Sequence, residues 1–349
     1  MPKMPRVSAA DIKGVVAYMP TTVRTDIVID RNTKNAIDLD EAARAADVLV
    51  RDGATGICLN GTFGELSSLT LNEIVDFTRA VVESVSNRVP VFAGATTLNT
   101  RDTIERARLF RDIGAHGLNL GRGMLSAMGD PNIVKWYQDV TEEFPDMAIF
   151  LYDDVQAFKR PITTAVYREL AKLPQVVACK YRTQIVVSRM IGANTYNADL
   201  EAVGKNIKLL TQESDWPLVH QFFGVDACWS SYINCAPGYV MALRDAILGG
   251  NEKRLKEVMA DSVWPGADFA PAGLDSWHID KITALKTRIH HAGYIKAGPV
   301  LPPYHVAPQE RFETAKKMAA LDRALQKKYP HKTALEGSAA RKKAEPVPA

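Results

Sequence analysis

A lysine stands where a buried strand is expected. In "VVACKYRT", Val176 to Thr183, a β-branched apolar run leads into Lys180. A lysine is seldom fully buried without a partner. Burial disfavours the charged ammonium and lowers its pKa, and a neutral amine attacks ketones to form imines. The plainer reading is a lysine snorkelling out at a strand end. Tyr152 closes a second apolar run, "IFLYDD". It is either a core tyrosine with a solvated hydroxyl or a proton shuttle. A third stretch, "NGTFGE" from Asn60 to Glu65, ends an apolar run ahead of a capped helix. Gly61 and Gly64 permit a tight turn, and successive amides with the Thr62 hydroxyl suit a carboxylate. Without a ligand the same stretch is an ordinary strand-to-helix turn.

These residues need a frame. Eight apolar runs begin at Gly14, Gly56, Val89, Gly117, Met147, Val176, Ile207 and Val225, a spacing of roughly 30 residues that suits a repeated strand–helix unit. Helical periods alternate with them. The first helix stops at Gly53, and Thr70 with Glu73 forms a capping box for the second. Thr100 and Gly114 bracket the third, the sixth lies near "QIVVSRMIG", and Ser214 caps the seventh. Such alternation predicts a parallel sheet, and runs apolar throughout predict strands covered on both faces. Eight units predict an α/β fold, a (β/α)₈ TIM barrel over residues 10–250. An open doubly wound sheet competes, but "YMPTTVRT" after the first strand is no glycine-rich phosphate loop. Helices without strands then form a C-terminal helical extension of the same domain, residues 251–330, and a disordered tail is expected over 331–349. Barrel active sites lie at the C-terminal strand ends, where Lys180, Tyr152 and the "NGTFGE" stretch fall together.

Composition narrows the function classes. The 349 residues carry a formal charge of +3, with 46% hydrophobic and 24% charged. That balance argues against nucleic acid or an anionic membrane as partner. No run approaches the ~18 apolar residues of a membrane span, and the polar start "MPKMPRVSAADIKG" has no apolar signal core. A cytoplasmic protein is expected. Cys58, Cys179, Cys228 and Cys235 sit in or beside apolar runs without CxxC spacing. They read as reduced core thiols, not metal ligands.

The "GTFGE", "GLNLGRGM", "LYDD" and "CKY" motifs, each on its proper strand, resemble the dihydrodipicolinate synthase and N-acetylneuraminate lyase superfamily of class I aldolases, over roughly residues 10 to 330. The resemblance implies a homotetrameric barrel that binds a 2-oxo acid as a covalent imine on Lys180, without metal or other cofactor. It assigns proton relay to Tyr152, and binding of the 2-oxo acid carboxylate to Thr62 and the Phe63 amide, in the loop that includes Asn60 and Gly61. Departures matter too. The arginine that holds the second substrate in dihydrodipicolinate synthases is Ala157 here, their paired tyrosine gives way to "GRGM", and their second threonine is Phe63. A lysine-biosynthesis role is therefore disfavoured. The hydratase-aldolase branch that cleaves benzylidenepyruvates is a closer resemblance, through "GTFGE", "TTLNTR", "QAFK", "CWSS" and the downstream "AGYIKAGPVLPPY".

That branch implies an arylidene pyruvate as substrate, and pyruvate with an aromatic aldehyde as products. If Lys180 points into the barrel mouth, strand alternation turns Tyr181 away and Arg182 back in. A guanidinium there suits an aryl carboxylate, which points to 2-carboxybenzalpyruvate; 2-hydroxybenzylidenepyruvate needs no such cation. Arg182 has the plainer reading of a helix cap or a partner for Glu213. Trp229 can stack on an aryl ring, and Gln212, Glu213, Ser230 and His278 are further pocket candidates. Two alternatives stand beside this reading. A sugar-acid aldolase or dehydratase of the same superfamily would release no aromatic aldehyde, and a non-catalytic 2-oxo acid binder would trap no imine.

Overall fold

The computed structural model describes residues 6–181, 189–262 and 280–336, without the side chains of residue 156 and residues 189–193. Eight short strands form the centre: β1 (Gly14–Tyr18), β2 (Gly56–Cys58), β3 (Val91–Gly94), β4 (Gly117–Leu120), β5 (Ala148–Tyr152), β6 (Val176–Lys180), β7 (Lys208–Leu210) and β8 (Ala227–Ser230). Their order is β7-β6-β5-β4-β3-β2-β1-β8, and every pairing is parallel. The ring closes at its mouth, where Gln212 bridges Trp229 and the Trp229 amide donates to the Thr211 carbonyl at 3.0 Å. This is the expected (β/α)₈ barrel.

Between the strands lie α1 (Leu39–Arg51), α2 (Leu71–Val85), α3 (Thr100–Ile113), α4 (Asp130–Glu143), α5 (Val155–Phe158), α6 (Thr164–Leu170), α7 (Arg189–Val203) and α8 (Trp216–Phe223). The capping box at Thr70 and Glu73 is present. The cap of α3 is not Thr100 but Asn99, whose side chain accepts from the Asp102 amide at 2.9 Å. Asn, like Thr, offers an oxygen to that amide, so the two adjacent residues are equivalent on sequence signals alone. Helix α8 begins after Asp215, not Ser214, and neither supplies a side-chain cap. The proline at its second position removes one of the free amides a cap would serve. The "QIVVSRMIG" segment lies largely outside the described residues.

After β8, α9 (Pro237–Leu248) completes the barrel, and α10 (Glu252–Ala260), α11 (Lys281–Ala292) and α12 (Gln309–Lys328) follow. The last two are tied to each other and to the barrel. Arg288 grips Asp322 with two hydrogen bonds of 2.7 and 2.6 Å, and Tyr232 donates to the same carboxylate. Tyr294 and Thr333 both donate to Asp52 at the end of α1. Residues 332–336, expected as the start of a tail, therefore form a helical turn held against the barrel; residues 337–349 lie outside the described residues.

Candidate active site

Register brings the reactive groups together. On adjacent strands Tyr152 pairs with Lys180, and both side chains point into the barrel mouth. The Lys180 Nζ lies 4.1 Å from the ring centre of Trp229, 4.3 Å from that of Tyr152 and 5.3 Å from that of Tyr18. The amine sits in an aromatic cage and is only 8% exposed. Desolvation pulls its pKa down to about 8; Asp154 pulls the other way and Lys281 adds to the fall. Tyr181, the next residue, turns outward, where its hydroxyl donates to Asp199 at 2.7 Å and its ring stacks on Tyr167. Lys180 inward and Tyr181 outward follow the expected alternation; Arg182, its third member, lies outside the described residues.

Tyr152 and Thr62 form the second half of the cluster. Their hydroxyls are 2.6 Å apart. Burial, and then the Asp154 charge, raise the phenol pKa well above its ordinary value, so at neutral pH it is a proton donor rather than a base. The loop that carries Thr62 is held from several sides. Thr21 donates to the Gly64 carbonyl at 2.7 Å, and Asn60 takes a positive φ of 50° at its start. At Gly64 a Cβ would come within 2.9 Å of the Gly61 nitrogen, so only glycine fits. Among the described residues the Phe63 and Gly64 amides have no hydrogen-bond partner, as an anion-receiving loop requires. The loop ends at Glu65, which is fully buried and also at positive φ. It is clamped by Lys286 of α11 and by the Leu301 amide at 2.7 Å.

A cavity of ≈ 180 Å³ adjoins this cluster, lined by Thr62, Asp154, Ala157, Asp280, Lys281, Ile282 and Tyr304. Small Ala157 leaves room in it. Four of these were legible in sequence only as helix or loop. Asp280, Lys281, Ile282 and Tyr304 come from the C-terminal extension, far along the chain from any strand motif. Tyr18 was missed as well, although it closes β1 as Tyr152 closes β5. It donates to Asn119 at 3.2 Å and forms one side of the cage.

The other expected residues divide. Trp229 joins the cage, its Nε1 donating to the Tyr181 carbonyl at 3.4 Å. Gln212 lies at the mouth beside it, half-buried. Asn60 and Gly61 sit in the loop beneath Thr62, where Asn60 accepts from Thr78 and Gly61 faces the Tyr18 ring. Ser230 is not brought to the cluster. Its hydroxyl accepts from the Ile233 amide at 3.0 Å and turns the chain out of β8. Glu213 is buried and pushed up to about 7 by desolvation, and its charge reaches Cys228 and Cys235 behind β8. Arg182 and His278 lie outside the described residues. Among the described residues no cluster of three or more potential metal ligands occurs, and no helix is long and apolar enough to cross a membrane.

A desolvated amine, a phenol donor and an anion-receiving loop at one barrel mouth are the groups that an imine-forming lyase requires. The chain belongs to the dihydrodipicolinate synthetase family, whose profile matches residues 19–265. It is 36% identical over 328 residues to a trans-2'-carboxybenzalpyruvate hydratase-aldolase of Nocardioides sp. (strain KP7), covering 93% of this chain and 97% of that one. It is 35% identical over 334 residues to a trans-O-hydroxybenzylidenepyruvate hydratase-aldolase of Pseudomonas putida, covering 94% and 98%. A solved structure described as "PhdJ bound to substrate intermediate" superimposes with a TM-score of 0.88 at 36% identity, over 93% of this chain and 99% of that chain.

Proposed function

We propose that this protein is a class I hydratase-aldolase that cleaves an arylidene pyruvate to pyruvate and an aromatic aldehyde, with 2-carboxybenzalpyruvate as the substrate. The observation that carries the chemistry is Lys180 in its cage, with a pKa near 8. About a tenth of such an amine is neutral at pH 7, against about 0.04% of an ordinary lysine. Lys180 condenses with the substrate ketone, while Thr62 and the Phe63 amide receive its carboxylate. The iminium draws electrons along the conjugated chain, so water adds at the benzylic carbon. A proton added at the neighbouring carbon restores the iminium; loss of the new hydroxyl's proton then breaks the carbon–carbon bond, the aldehyde leaves, and the resulting enamine is protonated, with Tyr152 relaying the proton. Water releases pyruvate and restores the amine.

The cavity supports an aryl group of one ring, since an apolar cavity on the order of 150 Å³ holds benzene. Lys281 in its wall supports a ring carboxylate. Asp154 and Asp280 in the same wall favour the second reading, a 2-hydroxyaryl substrate whose hydroxyl donates to a carboxylate. The family further supports a homotetramer, which sedimentation would test. The substrate is tested in the synthetic direction. Enzyme and pyruvate are mixed with 2-carboxybenzaldehyde or 2-hydroxybenzaldehyde, and the conjugated enone is followed by ultraviolet absorbance. Faster reaction of the carboxy aldehyde is expected; preference for the hydroxy aldehyde moves the assignment to the second reading, and reaction of neither contradicts both.

A further inference from the structure

The cavity beside the imine position carries a carboxylate with no part in the scheme above. Two residues past Tyr152, the chain brings Asp154 to the cavity wall, while the intervening Asp153 turns away to Arg122, the Ile162 amide and Tyr167. The Asp154 side chain accepts from the Ala157 amide at 3.1 Å, across the first turn of α5. It shares the wall with Thr62, whose hydroxyl is 2.6 Å from that of Tyr152. Its charge acts on both Lys180 and Tyr152, which places it within electrostatic reach of the reacting groups. With the ketone carbon on Lys180 and the carboxylate on the loop, the cavity lined by Asp154 is left for the benzylic carbon and the ring.

Building on the hydratase-aldolase reading, we infer that Asp154 is the general base at the benzylic carbon. It takes a proton from the water that adds to the alkene. The new C–O bond forms as the alkene electrons move to the iminium nitrogen, leaving an enamine. The proton on Asp154 passes to the neighbouring carbon, which restores the iminium and the carboxylate. Asp154 then takes the proton of the benzylic hydroxyl. The carbon–carbon bond breaks, its electron pair returns to the iminium nitrogen, and the aldehyde departs. That second proton reaches the enamine carbon through the Tyr152–Thr62 pair and completes the pyruvate methyl group. One water is consumed and no oxidant or reductant is required. Tyr152 cannot take this role, because its raised pKa keeps it protonated. Asp280 is the other carboxylate in the wall, but the carboxylate whose charge leads on both Lys180 and Tyr152 is Asp154.

The charged and titratable groups around Asp154 are Tyr152 on β5, Lys180 on β6, Asp280 and Lys281 at the start of α11, and Tyr304 beyond it, among the described residues. The test compares wild type, Asp154→Asn and Asp154→Ala in three assays. These are aldehyde release from an arylidene pyruvate, borohydride trapping of pyruvate on the protein, and the pH profile of kcat. Asp154→Asn is expected to lower kcat by about 10²–10⁴-fold, the usual contribution of a general base. Pyruvate trapping should be unchanged, and the rise of the profile set by Lys180 should persist, moved to lower pH by loss of the Asp154 charge. Formate should restore part of the activity of Asp154→Ala. Unchanged turnover in Asp154→Asn overturns the assignment. So does a parallel loss of trapping, which would mean that Asp154 acts only through the charge of Lys180. Wild-type enzyme that traps pyruvate yet releases no aldehyde would instead sink the hydratase-aldolase reading, and this one with it.

Discussion

Lys180 is costly to the fold. Its pKa falls from an ordinary lysine's 10.5 to about 8 on burial. Between those values the unfolded chain binds the extra proton, so stability rises with pH across that window. Below about pH 8 the cost is felt in full, on the order of 3 kcal/mol. Lys180→Met should therefore raise the unfolding midpoint in denaturant at pH 7 while abolishing imine formation, and the gain should fade above about pH 10. A destabilised Lys180→Met protein would show that the amine is a structural partner. The same pKa sets the pH dependence of catalysis: imine formation should accelerate as pH rises toward 8 and level off above it. For Tyr152→Phe, kcat should fall by about 10²–10⁴-fold with pyruvate trapping retained; loss of trapping would assign the phenol to imine formation instead. Lys180 and Tyr152 were legible in the sequence because each breaks an apolar run at its end. Tyr18 was not, since a tyrosine at the end of an apolar strand is ordinary until its neighbours are known.

At the scale of elements, the loop from Asn60 to Glu65 is built by constraint from both sides. Gly64 has no room for a Cβ, and Glu65 is locked to Lys286 and to the Leu301 amide. The "NGTFGE" motif was legible as a loop, but nothing in the sequence pairs Glu65 with a lysine 221 residues away. Burial of both charges is the reason the pair matters. Removing one partner leaves the other uncompensated, at a cost of about 3–5 kcal/mol. Lys286→Met should lower the denaturation midpoint accordingly and weaken pyruvate binding; a loss of stability below about 1 kcal/mol would contradict a buried pair. Gly64→Ala should raise KM for the 2-oxo acid more than it lowers stability, because the displaced backbone is the proposed carboxylate site. The helix caps show the limit of local signals: Asn99 and Thr100 differ by one position, and only the backbone turn decides between them.

At the scale of the molecule, the barrel was legible because eight strand–helix repeats admit few closures. The function of the extension was not legible. Its helices read as an appendage, yet they supply Lys281, Ile282 and Tyr304 to the cavity and Lys286 to the loop. Tyr232, Tyr294 and Thr333 weld them to the rest. We therefore propose that barrel and extension unfold as one unit, in a transition that coincides by tryptophan fluorescence and far-ultraviolet circular dichroism; two separated transitions would mark the extension as independent. The central claim, covalent catalysis at Lys180, is tested most directly by borohydride reduction of the enzyme with pyruvate, followed by peptide mapping. A single reduced pyruvate adduct on Lys180, absent from Lys180→Met, is the expected result. No adduct, or an adduct on another lysine, would contradict the account.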